Sequence, residues 1–355
     1  MTAGKRLVRI GLLATLLTIA AGVWLYNRLE RPSIGPGGPS DVVVYFPSGT
    51  STSAIFRRLA SEGVIFNAKI AEIFYRIRGS ATPLQAGEYR FSRPTSLDQI
   101  LDRMGRGEVL QHVVVVPEGL TAEETFQLFV DQGIGTMESF RAAFTDTSVA
   151  PGLAPGAPDL EGFLFPDTYR MTRSTSARRA VEGMVAQFRL HFTPGMRERA
   201  RILGLTPRQA VTLASIVQKE TGLVREAAVV AGVYLNRLDH GMRLQADPTV
   251  AYALKRNGAW NGSLRRSDYA YESPYNTYLY DGLPPGPICN PGLAALAAAV
   301  TPARTDYFYF VADDSGGHTF SRTFEQHLQA IATNRRLRAE ADSPAPSETP
   351  VPSSN

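Results

Sequence analysis

An uncharged apolar run at residues 10–26 constrains this chain more than any other feature of its sequence. The run is at the short end of the length of a transmembrane helix, and the basic segment 1–9 precedes it. Because positive flanks stay in the cytoplasm, we predict a single-pass helix with residues 1–9 inside and the remaining chain outside. A cleaved signal peptide is the alternative, but residues 23–26 continue the apolar run beyond the small residues of a cleavage site.

Composition excludes several function classes. The 355 residues are 44% hydrophobic and 20% charged, which suits a globular chain of about two domains. The net charge of +4 comes without a dense Lys/Arg face, so we predict no nucleic-acid partner. Cys289 is the only cysteine and the histidines lack metal-ligand spacing, so neither a metal nor a cofactor is expected.

Pro, Gly and Ser mark the boundaries of the folded part. Residues 27–40 read as a linker, and the Ser/Pro-rich residues 338–355 as a disordered tail. Between them, short strands and helices at 41–116 predict a small α/β subdomain that looks like a LysM sugar-binding module, with a structural spacer as the alternative. Residues 117–337 predict one larger α+β catalytic domain, so the fold class is α+β.

The strongest chemical signal is LASIVQKET at 213–221. On a helix, Glu220 falls within about 20° of the centre of an apolar stripe. That stripe contains Leu213, Ile216, Val217 and Val224. An inward carboxyl loses hydration, which raises its pKa toward neutrality and suits a general acid for glycosidic bond cleavage. The alternative is a buried Glu satisfied by hydrogen bonds or by an Arg partner.

Two further stretches, LQADPTV at 244–250 and YNTY at 275–278, combine amide, carboxylate, hydroxyl and aromatic groups at short spacing. Such groups can position a sugar. The candidates are Gln245, Asp247, Thr249, Tyr275 and Asn276. The alternatives are that Asp247 only caps a helix beginning at Pro248, and that YNTY is only a surface loop.

Two more residues are candidates with weaker support. Glu161, in EGFLFPDTY at 161–169, is either a second catalytic carboxylate or a residue that caps a helix or holds a loop. His318, in GGHTF at 316–320, contacts the substrate or belongs to a hairpin.

Together these motifs resemble the MltG family, the YceG-like endolytic murein transglycosylases. The matching pieces lie in family order between residues 42 and 318. They are PEG at 117–119, EGFLFPDTY at 161–169, ASIVQKE at 214–220, NRL at 236–238, GMRLQ at 241–245, DPTV at 247–250, YNTY at 275–278, GLPPG at 282–286 and GHTF at 317–320. Many relatives have Glu where this chain has Gln218, but the helical geometry points residue 218 away from the interior.

The resemblance implies an inner-membrane protein with a periplasmic catalytic domain, a peptidoglycan substrate in the form of nascent glycan strands, and binding to penicillin-binding proteins. It also implies that Glu220 is the catalytic acid of a lytic transglycosylase that leaves a 1,6-anhydroMurNAc end. Two alternatives remain: a hydrolytic muramidase pairing Glu220 with Glu161 or Asp247, and a peptidoglycan-binding scaffold for cell-wall synthases.

Overall fold

The computed structural model describes residues 3–30, 41–79, 82–92, 95–153 and 155–341. Most of the predicted linker and tail therefore lies outside the described residues. The last helix continues to Ala341, past residue 337, where the catalytic domain was predicted to end.

Helices account for most of the described secondary structure. They are α1 (Ala3–Glu30), α2 (Thr52–Ser61), α3 (Ala68–Arg78), α4 (Leu97–Arg106), α5 (Ala122–Asp131), α6 (Met137–Thr145), α7 (Ala177–His191), α8 (Pro194–Ile202), α9 (Pro207–Glu220), α10 (Val224–Asp239), α11 (Asp247–Arg256), α12 (Leu293–Val300) and α13 (Phe324–Ala341). Short 3₁₀ helices lie at Thr147–Val149 and Arg266–Ala270.

The strands are short and pair two by two. They are β1 (Asp41–Phe46), β2 (Gly87–Ser92), β3 (His112–Val115), β4 (Thr168–Met171), β5 (Tyr309–Ala312) and β6 (His318–Ser321). In the described residues β1 pairs with β2, β3 with β4 and β5 with β6. The predicted α+β class is therefore confirmed.

The first compact unit comprises Met1–Val114, Asp131–Gly135 and Tyr169–Ser176. Its order β1–α2–α3–β2 encloses an apolar core, because alternate strand residues such as Val44, Phe46 and Phe91 face the buried sides of the helices. The strands are antiparallel, with Asp41 opposite Ser92. Helix α2 begins where Ser51 accepts a hydrogen bond from the Ala54 N–H.

The second compact unit comprises Val115–Val130, Thr136–Thr168 and Ala177–Asn355. Helix α9 lies at its centre and packs against α8, α10, α11 and α12. Thr206 caps α9 and Pro207 opens it, and every residue from 210 to 217 is buried. The small side chains of α12, an alanine-rich helix, allow close approach to α9.

The prediction of an apolar stripe on α9 was therefore wrong in one respect. Val224 does not extend the stripe: the helix ends at Glu220, Thr221 is extended, and Val224 begins α10 with 73% of its surface exposed. Since α9 is buried on all sides over 210–217, it is a core helix rather than an amphipathic one.

Helix α1 exposes a series of large apolar side chains, which include Ile10, Leu13, Leu17 and Trp24. None of the helices in the described part of the chain combines the length and the apolar character of a membrane span.

Candidate active site

Glu220 lies in a pocket of about 320 Å³ in the second unit. The end of α9, the middle of α10, the start of α11, strand β5 and helix α13 supply its walls. Depressions of about 580, 660 and 800 Å³ elsewhere in this unit are larger, so volume does not identify the site. The smaller pocket is the candidate because it brings together Glu220, Gln245 and Asp247, three of the residues predicted from the sequence.

The carboxyl of Glu220 is held from α10. The buried Tyr234 hydroxyl donates to Glu220 Oε1 over 2.6 Å. The Glu220 side chain is partly exposed to the pocket, but protein atoms surround most of its carboxyl group. Burial raises the pKa of Glu220 to about 7, the Tyr234 hydrogen bond opposes this, and the negative charge of Asp247 adds to it. Glu220 can therefore give up and take back a proton near neutral pH.

Asp247 faces the same pocket from the first turn of α11. Its two carboxylate oxygens accept hydrogen bonds from Tyr278 over 2.5 Å and from Tyr269 over 3.2 Å. Ala246 occupies the cap position and no side chain caps the helix, so the interpretation of Asp247 as the cap is wrong. The two tyrosines orient an exposed carboxylate in the pocket.

Arg237 fixes two walls of the pocket to each other. It lies one helical turn after Tyr234, and its buried guanidinium donates to the Phe308 carbonyl and to the Leu244 carbonyl, both over 2.6 Å. Its positive charge also faces the ring of Tyr309 at 5.3 Å. Arg237 thereby ties the segment before β5 to the segment that leads into α11.

Gln245 lines the pocket with an unusual backbone. Its φ of 50° is the left-handed conformation, the only such case for a non-glycine among the described residues. The Gln245 N–H donates to the Thr277 carbonyl over 3.1 Å, which holds it there. A left-handed backbone costs a non-glycine residue about 1 kcal/mol or more. Contacts of the surrounding loop must therefore offset this strain and hold the Gln245 side chain in place.

Thr249 and Asn276 are buried behind the pocket and do not line it. The Thr249 hydroxyl donates to the Ala246 carbonyl over 2.7 Å and lies 2.9 Å from the Thr277 hydroxyl. The Asn276 amide donates to the carbonyl oxygens of Tyr269 and Tyr271. Both residues hold the loops that carry Asp247 and its tyrosine partners.

His318 also lies outside the pocket lining. Its Nδ1 lies 2.8 Å from Glu226 Oε2, and its ring meets Phe310 edge-on at 5.2 Å. Any positive charge on His318 lowers the pKa of Glu220. His318 therefore influences the site indirectly: its ring packs against Phe310, which lines the pocket, and its charge acts on Glu220.

Glu161 lines a different pocket from Glu220, the one of about 580 Å³. It accepts from the Ala122 N–H over 3.0 Å and from the Tyr252 hydroxyl over 3.3 Å. Burial raises the pKa of Glu161 to about 8. Tyr275 packs against Tyr252 with ring centroids 5.0 Å apart. Glu161 and Tyr275 therefore both contact Tyr252 and lie in a cluster separate from Glu220.

Tyr234, Arg237 and Tyr278 are not among the site residues predicted from the sequence. A signal existed for the first two, because positions 234 and 237 lie on one face of a helix and the NRL motif includes Arg237. Tyr278 closes the YNTY motif. Among the described residues no group of three or more His, Cys, Asp and Glu could hold a metal ion.

The fold and site define a class: a mainly helical α+β protein with an acid–base pocket built around one buried glutamate. The chain belongs to the YceG-like family, whose family model matches residues 44–333.

Named relatives agree with this membership. The chain is 29% identical over 328 residues to an endolytic murein transglycosylase of Bacillus subtilis (strain 168), covering 88% of this chain and 90% of that protein. A Streptococcus pneumoniae protein of the same name (serotype 2, strain D39) is 29% identical over 91% of this chain, which spans 64% of its length. The crystal structure of a YceG-like protein from Listeria monocytogenes superposes with a TM-score of 0.51, at 30% identity, covering 82% of this chain and 99% of that one.

Proposed function

We propose that this protein is an endolytic lytic transglycosylase that cleaves the MurNAc–GlcNAc bond of nascent peptidoglycan strands and leaves a 1,6-anhydroMurNAc end. The relatives named endolytic murein transglycosylase support this assignment. The observation that carries it is Glu220, a carboxyl with a pKa of about 7, raised chiefly by burial, in a polar pocket.

One carboxyl suffices for this reaction. Protonated Glu220 donates its proton to the glycosidic oxygen as the bond to C1 breaks through an oxocarbenium-like transition state. The resulting carboxylate then takes the proton from the 6-hydroxyl of the same MurNAc, whose oxygen closes onto C1. No water is consumed, so the protein does not need a second carboxylate spaced to admit one.

The neighbours of Glu220 have supporting roles in this proposal. The carboxylate of Asp247 favours the positive charge that develops on the sugar and helps keep Glu220 protonated beforehand. Tyr234 fixes the direction of the Glu220 carboxyl. Gln245, which lines the pocket beside Asp247, is placed to contact the sugar.

A hydrolytic muramidase is the second candidate function. Asp247 lines the pocket with Glu220 and could serve as its partner, whereas Glu161 lines another pocket. The names of the relatives favour the transglycosylase.

The direct test compares the full-length protein with Glu220→Gln on uncrosslinked glycan strands, with the products weighed by mass spectrometry. We expect anhydro-ended fragments from the wild type and none from the variant, with equal far-UV circular dichroism spectra. Cleavage by Glu220→Gln at the wild-type rate would refute the assignment of the acid, and silence of both proteins would favour the scaffold for cell-wall synthases.

We also propose that α1 anchors the protein in the inner membrane, with the other described residues in the periplasm beside penicillin-binding proteins. The apolar run at 10–26 and the exposed apolar side chains of α1 support this. The β1–α2–α3–β2 unit is proposed to be a LysM-like sugar-binding module. Alkaline carbonate extraction tests the anchor, because release of the protein into the soluble fraction contradicts it.

A further inference from the structure

The second unit contains another pocket that the proposed chemistry does not use. It measures about 580 Å³ and lies at the C-terminal end of α11, where Tyr252, Lys255 and Arg256 face Glu161 and Asp159. Phe144 adds an aromatic surface to its lining.

The polar groups of this pocket form a connected network. The Tyr252 hydroxyl donates to Glu161 Oε2 over 3.3 Å, and Arg256 donates to the Tyr252 oxygen over 3.0 Å and to Asp159 over 3.1 Å. Glu161 and Asp159 are buried, and both carboxyls have partners. Satisfied buried networks are rigid, so the pocket presents fixed donors and acceptors to a ligand.

A smaller cavity of about 40 Å³ adjoins this pocket. It shares Tyr252 and Lys255 with the larger pocket, and its lining includes Lys219 and Pro248, the chain neighbours of Glu220 and Asp247. Helix α11 contributes its first residue, Asp247, to the Glu220 pocket and its last turn to the larger pocket. Its 10 residues span about 15 Å at 1.5 Å per residue.

The charges of the larger pocket are balanced. Arg141 pairs with Glu123, Lys255 with Glu124 and Arg256 with Asp159. A pocket whose cations are already paired offers little attraction to a small free anion such as phosphate. The hydroxyl groups of Thr121 and Tyr252 beside the aromatic rings of Phe144 and Tyr252 instead suit sugar units.

We propose that this pocket is a distal subsite that binds sugar residues of the same glycan strand, several units from the bond cut at Glu220. The inference rests on the proposed function, because an endolytic enzyme acts where the strand continues on both sides of the bond. The 320 Å³ pocket at Glu220 leaves most of such a strand to be held elsewhere. The larger pocket, at the other end of α11, supplies such a place.

Trp260 offers a readout that does not depend on cleavage. It is one of two tryptophans in the chain, and its ring lies 6.0 Å from Nζ of Lys255, which lines the subsite. In the full-length Trp24→Phe, Glu220→Gln protein, Trp260 is the only tryptophan. We expect uncrosslinked glycan strands freed of stem peptides to change its fluorescence saturably, and Tyr252→Phe to weaken that binding about fivefold, the scale of one net hydrogen bond.

A matched pair of arginines tests specificity in the active protein. Arg141 and Arg201 each hold a glutamate through two hydrogen bonds at the surface, but only Arg141 lines the subsite. We expect Arg141→Ala to raise KM severalfold on long strands with kcat unchanged and with no effect on a tetrasaccharide. Arg201→Ala should leave both substrates unaffected.

Three results would overturn the subsite: no response of Trp260 to peptide-free strands, a response only when stem peptides are present, or equal effects of the two arginine variants. The two proposals fail separately. A response of Trp260 without cleavage by the active protein keeps the subsite and rejects the transglycosylase, and cleavage without a response does the reverse.

Discussion

The hydroxyl of Tyr234 is the direct contact that tunes Glu220. Its hydrogen bond favours the carboxylate and so lowers the pKa that burial raises. Because Glu220 must start protonated, activity falls as pH rises through its pKa. Tyr234→Phe should move this falling limb of the kcat/KM profile to higher pH and reduce the rate by about tenfold or less. Tyr89→Phe, which changes a buried tyrosine of the first unit, should leave the limb in place.

Asp247→Asn should move the same limb in the opposite direction. The negative charge of Asp247 raises the pKa of Glu220, so its removal lets Glu220 ionise at lower pH. Asparagine retains an oxygen for Tyr278, which limits the structural change. Measured pH–rate profiles that shift the same way in both variants would contradict the electrostatic roles given to these residues.

Glu161 makes stability depend on pH. Burial raises its pKa from 4.5 to about 8, so the folded protein keeps a proton that the unfolded chain loses between these values. Stability should therefore fall as pH rises from about 4.5 to 8, by several kcal/mol on an order-of-magnitude basis. Glu161→Gln should flatten this dependence, as measured by urea midpoints at pH 5 and pH 8. An unchanged slope would show that Glu161 titrates normally.

At the scale of elements, the packing of α10 depends on a glycine. A Cβ at Gly232 would lie 2.5 Å from the Ala303 carbonyl oxygen, a backbone atom that cannot rotate away. Although alanine favours a helix by about 1 kcal/mol, we expect the clash to dominate and Gly232→Ala to destabilise the protein by about 1–3 kcal/mol. Gly195→Ala in α8 is the matched control, since its nearest atom lies at 3.8 Å. Equal melting temperatures for the two variants would contradict the predicted clash at Gly232.

Periodicity could predict that Glu220 faces inward, because that prediction needs the geometry of one helix only, and α9 is one continuous helix whose last residue is the glutamate. The partners of Asp247 could not be found in this way. Tyr278 is 31 residues from Asp247 along the chain, and only the closed loop brings the two together. The hydrogen bond from Arg237 to the Phe308 carbonyl spans 71 residues, which no local pattern specifies.

At the scale of the whole molecule, the α+β class and family membership followed from the pattern and order of the motifs. The domain boundaries at 41–116 and 117–337 stay a prediction. The first compact unit also contains the segments Asp131–Gly135 and Tyr169–Ser176, which lie later in the chain. Such returns of the chain depend on tertiary contacts, and composition does not signal them.

In the proposed reaction one carboxyl, Glu220, cuts the strand without consuming water. The most direct test runs the reaction of the full-length protein in H₂¹⁸O and weighs the new MurNAc ends. We predict anhydro ends that carry no ¹⁸O, because the 6-hydroxyl of the sugar supplies the oxygen that closes onto C1. Incorporation of ¹⁸O at C1 in the initial products would contradict the claim and identify a hydrolase.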